Sequence, residues 1–146
     1  MKRAVNFLIQ ELVCDHLYVA YGEGAWRYLR DELIDFLDWF RDVVDRPVYV
    51  NTYKWHDGGS TQRGVRCNLC QLVRQKTSDN KVYLSPHMQG IAVDLHVVGM
   101  TTAEVHKFLE DNKYDLPVPI RIEKNVLHVH IDTRNSGMDM IEYCRP

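Results

Sequence analysis

Residues 126–133 alternate between apolar and ionisable side chains, and this pattern constrains the chain more than any other. Successive side chains of a strand point to opposite faces. Leu127, Val129 and Ile131 therefore share one face, and His128, His130 and Asp132 share the other. The apolar face needs a core to pack against. The polar face sets two imidazoles and a carboxylate in a row, which is costly unless they are solvated, paired or bound to a metal. Imidazole is the commonest metal-ligating side chain. From this segment alone, a solvated polar face and a row of metal ligands both remain open.

A second segment narrows the choice. Ser85, Pro86, His87, Met88, Gln89 and Gly90 lead into an apolar, β-branched stretch over residues 91–98 that reads as a buried strand. Asp94 sits inside that strand. Buried carboxylates are normally paired or coordinate a metal, so a structural salt bridge is the competing explanation. Gly90 and Ala92 are small, as needed where backbone or ligand approaches closely. With the histidine-rich strand, the economical reading is a site of two histidines and one aspartate. Three protein ligands and an open fourth position are how catalytic zinc sites are built, whereas structural sites close all four.

The rest of the chain supplies a scaffold. Residues 4–19 carry apolar side chains at helical spacing, and Gly22 and Gly24 break the pattern. A second helix is expected over residues 25–44. There Trp26, Leu29, Leu33, Leu37, Phe40 and Val44 form one apolar stripe, ended by Arg46-Pro47. A short strand follows at 48–50, a loop at 52–64 and a helix at 66–76. A turn is expected at 77–80, a helix at 101–112 opened by the capping box of Thr101 and Glu104, and strands at 120–123 and 126–133. The 146 residues suit a single domain over 1–146. The predicted class is α+β, with N-terminal helices packed on a small, mainly antiparallel sheet.

Composition excludes several functions. Eighteen Lys and Arg face twenty Asp and Glu, a formal net charge of −2, so nothing suggests a nucleic-acid surface. No apolar run approaches the roughly 20 residues that span a bilayer, so no membrane partner is expected. The N-terminus is too short and too polar in its apolar part for a signal peptide. The expectation is synthesis in a reducing cytoplasm, with mostly free thiols at Cys14, Cys67, Cys70 and Cys144. Cys67 and Cys70 have the spacing of half a zinc site or a redox pair, but no second such pair completes a zinc site. On a helix they would be neighbours on one face, and burial as small apolar thiols is the favoured reading.

The pattern Ser85-x-His87-x-x-Gly90-x-Ala92-x-Asp94, followed by His128-x-His130, resembles a family of zinc peptidases. That family includes D-alanyl-D-alanine carboxypeptidases, phage L-alanyl-D-glutamate endopeptidases, more distantly lysostaphin-like enzymes, and the hedgehog signalling domain. The resemblance covers roughly residues 47–134. It implies a hedgehog-type fold, with His87, Asp94 and His130 as ligands of Zn2+ and a zinc-activated water as nucleophile. It implies a substrate in the peptide stems of bacterial peptidoglycan, and a phage-type lysin that acts on the wall once released. Proton transfer would fall to Glu123 or His128.

Two departures stand out. Many carboxypeptidase members have a glutamate three residues before the last ligand, where this chain has Leu127. Glu123 reaches the site only if the chain turns near Lys124-Asn125, which those residues permit. The family also often places an arginine after the strand corresponding to residues 48–50. Here Lys54 is nearest, and Arg63 and Arg66 are the better carboxylate binders, because guanidinium binds carboxylate bidentately. Asp132 is expected either to fix an imidazole tautomer or to pair with Arg134, and Ser85 to bond locally near the site. His96 reads as packed or supporting, and His16, His56 and His106 have no assigned partner. Two other functions compete: a non-catalytic zinc-binding domain of the same fold, and a protein whose only metal site uses the Cys67/Cys70 pair. Oligomeric state is not legible.

Overall fold

The structure, a computed structural model, describes residues 1–52, 60–78 and 80–146. Lys54 and His56 lie outside the described residues, as do most of the expected loop at 52–64 and one residue of the turn at 77–80.

The chain is α+β, with helices against a five-stranded mixed sheet. The strands are β1 (Val48–Tyr49), β2 (Ala92–Val97), β3 (Ile120–Glu123), β4 (Val129–Asp132) and β5 (Ile141–Cys144). Their order is β1-β2-β4-β3-β5. The first three pairings are antiparallel, and β5 pairs parallel with β3. The sheet is thus mainly antiparallel, with a parallel edge strand that the sequence pattern did not reveal. The helices are α1 (Ile9–Leu12), α2 (Asp15–Tyr21), α3 (Asp31–Val44), α4 (Gln71–Lys76) and α5 (Thr102–Asp111), with 3-10 turns at Gly22–Tyr28 and Lys113–Asp115.

α3 buries Leu33, Ile34, Phe36, Leu37, Phe40 and Val44, so its stripe faces the core as its periodicity requires. It stops at Val44, where Asp45 takes a left-handed φ of 49°. Phe40 meets Phe108 of α5 edge-on at 6.1 Å between centroids. The capping box at α5 forms: Glu104 N donates to Thr101 Oγ1 at 3.2 Å, and Thr101 N to Glu104 Oε2 at 2.7 Å. One core cluster runs from Phe7 and Leu12 through α3 to Val93, Ile122, Ile131 and Ile141.

Three expected elements are shorter than their patterns. The helix over 4–19 breaks at Val13 and Cys14, which are extended. Val65 N donates to Leu12 O at 2.8 Å and Cys14 N to Val65 O at 2.9 Å, so this stretch bonds a distant segment rather than its own helix. The helix over 25–44 breaks at residues 29–30, where Arg30 N donates to Gly90 O at 2.9 Å. Two glycines permit these contacts. A Cβ on Gly64 would stand 2.1 Å from Leu12 O, and one on Gly90 only 1.8 Å from Tyr28 O. Gly90 also has φ +71°, which an L side chain rarely adopts. The helix expected over 66–76 begins only at Gln71, and Cys70 is its N-cap residue.

Candidate metal centre

The sheet register brings the predicted ligands together. Asp94 of β2 lies directly opposite His130 of β4. His87 comes from the turn before β2, where Met88 N donates to Ser85 Oγ at 3.4 Å, so Ser85 bonds locally as expected. All three ligand candidates are buried, and one ligand atom from each lies within 4.8 Å of the others. The Asp94 carboxylate is the hub. Its Oδ1 is 2.8 Å from His130 Nδ1, and its Oδ2 is 3.4 Å from His87 Nε2.

Each imidazole is held from outside by its other nitrogen. His87 Nδ1 donates to Gly64 O at 2.9 Å, which leaves Nε2 facing Asp94. His130 Nε2 donates to Asp132 Oδ2 at 3.2 Å, which leaves Nδ1 facing Asp94. Outer hydrogen bonds of this kind fix the tautomer and aim of metal-ligating histidines. Two nitrogens and a carboxylate oxygen converging this way form a donor set suited to zinc.

Asp132 is fully buried, so it cannot be a solvated strand residue. Its partner is Arg121, directly opposite on β3, with Nη2 at 2.7 Å from Oδ2. Arg134 meets it only through backbone N at 2.9 Å. The alternation of β3 pairs Arg121 with Glu123 on one face, so a hairpin register closed across residues 124–128 could have found this pair. Asp132→Asn is expected to weaken zinc binding about tenfold, the lower end of the roughly 10–100-fold that such outer partners contribute. Competition against a colorimetric chelator measures it, and an unchanged affinity would restrict Asp132 to a role in folding.

Electrostatics follow the same contacts. Burial opposes a charged His130, but hydrogen bonds to Asp132 and Asp94 outweigh it and push its pKa up to about 9. Burial works against the Asp94 carboxylate too, yet His130 and His87 hold it well below the usual carboxylate range. Burial lowers the pKa of His87 and keeps its imidazole neutral, the form that binds metal.

Glu123 reaches the centre. β3 ends at Glu123, Asn125 adopts φ +64°, and the chain returns into β4. Glu123 Oε2 stands 3.8 Å from His130 Nδ1. β4 begins at Val129, three residues later than the alternation suggested. Leu127 is therefore 99% exposed in the turn instead of facing the core. His128, just outside the strand, still places Nε2 3.4 Å from Asp94 Oδ1 with half its side chain exposed.

The two arginines separate. Arg66 is drawn into the centre: its Nη2 lies 3.1 Å from Asp94 Oδ2, so its guanidinium is already paired. Arg63 donates its backbone N to Asn51 Oδ1 at 3.0 Å and accepts from Asp94 N at 2.8 Å. Its residue lines a cavity of about 280 Å³ with Tyr49, Asp94, His96, Met100 and His128. His96 is exposed there, not packed. A second cavity of about 380 Å³ is lined by Arg66, His87, Asp94, Arg121, Glu123, His128, His130 and Arg134. The buried Asn51, whose Nδ2 also donates to Val13 O at 2.8 Å, ties this loop to the N-terminal segment and had no sequence signal.

A second group with the geometry to hold a metal ion comprises Cys14, His16, Cys67 and Cys70. Cys67 and Cys70 are not neighbours on a helix, and the fold supplies them with partners from the N-terminal segment. No helix among the described residues is long and apolar enough to cross a membrane. No protein-family model matches the chain, nor does any curated protein or solved structure.

Proposed function

We propose that the chain is a zinc-dependent peptidase of the hedgehog-type fold that hydrolyses peptide bonds in bacterial peptidoglycan stems. The observation that carries this reading is the buried trio of His87, Asp94 and His130, whose imidazoles are each aimed at Asp94 by a bond from outside. Family resemblance in the two motifs supplies the substrate class and the phage-type lysin setting.

Zinc held by the trio supplies Lewis acidity, which polarises a scissile carbonyl and acidifies water. Glu123, 20% exposed at the rim of the trio, takes the proton of the attacking water and passes it to the leaving amine. His128, half-exposed beside the same Asp94 oxygen that faces His130, donates a hydrogen bond to the oxyanion that develops. Arg63, the arginine not paired to Asp94, holds a substrate carboxylate in the cavity it lines with His128. Arg66 fixes the second Asp94 oxygen.

The test is hydrolysis of purified peptidoglycan, expected to vanish with a chelator and return with zinc. Glu123→Gln is expected to lower kcat by about 10²–10⁴-fold with zinc content unchanged. Full activity of that variant would move proton transfer to His128. Stoichiometric zinc with no wall peptide cleaved would favour a binding domain of the same fold.

A further inference from the structure

We propose that Cys14, His16, Cys67 and Cys70 form a closed, structural zinc site, separate from the histidine–aspartate trio. Four ligand atoms, one from each residue, lie within 4.8 Å of one another. Cys70 Sγ is 3.9 Å from His16 Nδ1. Zinc–sulfur bonds of about 2.3 Å and zinc–nitrogen bonds of about 2.0–2.1 Å give a tetrahedral edge near 3.6 Å, so this pair needs only a small contraction to share an ion.

The chemistry of the set selects the metal. Three thiolates and an imidazole suit zinc, and four protein ligands leave no open position for substrate. All four cysteines are free, so no disulfide occupies the sulfurs. The turn from Cys67 to Cys70, closed by Cys70 N donating to Cys67 O at 3.2 Å, also aims a donor at sulfur: Leu69 N donates to Cys67 Sγ at 3.4 Å. The three sulfurs lie within a small apolar group, where Cys14, Cys70 and Val73 are buried and Leu17, Cys67, Tyr83 and Met88 pack around them, while His16 is exposed at its edge. Three thiols gathered among apolar side chains could pack as plain hydrophobes, but the exposed His16 closes the set from the solvent side, with Nδ1 3.9 Å from Cys70 Sγ.

Its position gives the ion a task. Cys14 and His16 flank the start of α2, while Cys67 and Cys70 stand on either side of the turn into α4. Between Gly64 and Cys67 lie the groups that fix the trio. Gly64 O holds His87 Nδ1, Arg66 pairs with Asp94, and Arg66 N donates to His87 O at 3.2 Å. Cross-linking residues far apart in sequence removes freedom from the unfolded chain, and metal binding adds directly to folding. The ion thus locks the loop that aims His87 and Asp94, without touching substrate.

Metal content of the full chain, purified under reducing conditions, tests the proposal. Wild type is expected to hold two zinc ions, and Cys67→Ser/Cys70→Ser one. His87→Ala/His130→Ala is also expected to keep one, so loss at either site is read separately. Wild-type zinc content in the cysteine double variant would overturn the site. Because that variant risks misfolding, cobalt substitution of the unaltered chain provides a second test. Sulfur-to-cobalt charge-transfer absorption in the near ultraviolet is expected, and the trio alone cannot produce it. Absence of that absorption would overturn the proposal, as would a zinc-free Cys14–Cys70 disulfide in the folded protein. Alkylation is expected to reach Cys144 at once and the other three thiols only after chelation.

Discussion

Alanine at His87, Asp94 or His130 is expected to remove one zinc ion per chain and lower wall-peptide hydrolysis by more than about 100-fold. That exceeds the roughly 10–100-fold associated with outer partners, because a three-ligand site has no spare donor. The three variants will not be equivalent in stability. Asp94 is the ion-pair partner of Arg66, with both side chains 12% exposed, and it also holds His130 Nδ1 at 2.8 Å. Removing one partner of a buried ion pair costs about 3–5 kcal/mol, since the other charge is stranded. His87→Ala strands no charge and leaves Gly64 O as its main orphan. It is the cleaner variant for zinc analysis by atomic absorption and activity on purified walls. Full metal content in all three would dismantle the site.

Outside the metal centre, a comparably large effect on stability is expected from Gly90→Ala. The new Cβ would stand 1.8 Å from Tyr28 O, and the backbone at φ +71° would be strained in any case. Left-handed backbone costs an L residue about 1–2 kcal/mol, and overpacking about 1–3 kcal/mol more. Together these approach half of a small domain's typical stability of about 5–15 kcal/mol. A fall in Tm on the order of 10 °C is expected by calorimetry. A Tm within experimental error of wild type would mean that the 3-10 turn at Gly22–Tyr28 moves freely away from the turn before β2.

The centre was largely legible because its signals are local. An aspartate inside an apolar strand and ionisable residues at period two need only the pleat to bring them to one face. Glu123 also came within reach, because Asn125 tolerates the left-handed turn between β3 and β4. The helix breaks at residues 13–14 and 29–30 were not legible. Apolar spacing persists across them, and their cause lies in Gly64 and Gly90, distant in sequence. Leu127 misled because alternation continues for three residues beyond the hydrogen-bonded strand. β5 is four residues long and only Ile141 is buried, too little pattern to register. Cys14 and His16 gave no signal, since a proposed ligand set divided between a helix start and a remote turn has no diagnostic spacing.

Gly64 and Gly90 each press a loop of the metal centre against a carbonyl of the N-terminal segment. Both contacts occur where that segment leaves helical geometry, and both loops carry or orient His87. The stretch 47–134, which bears the motifs of the resemblance, is therefore not structurally autonomous. Its candidate ligands are aligned by residues 12–30, and fragments, fusions or transplants that omit them would preserve the motif while discarding the jig that holds it.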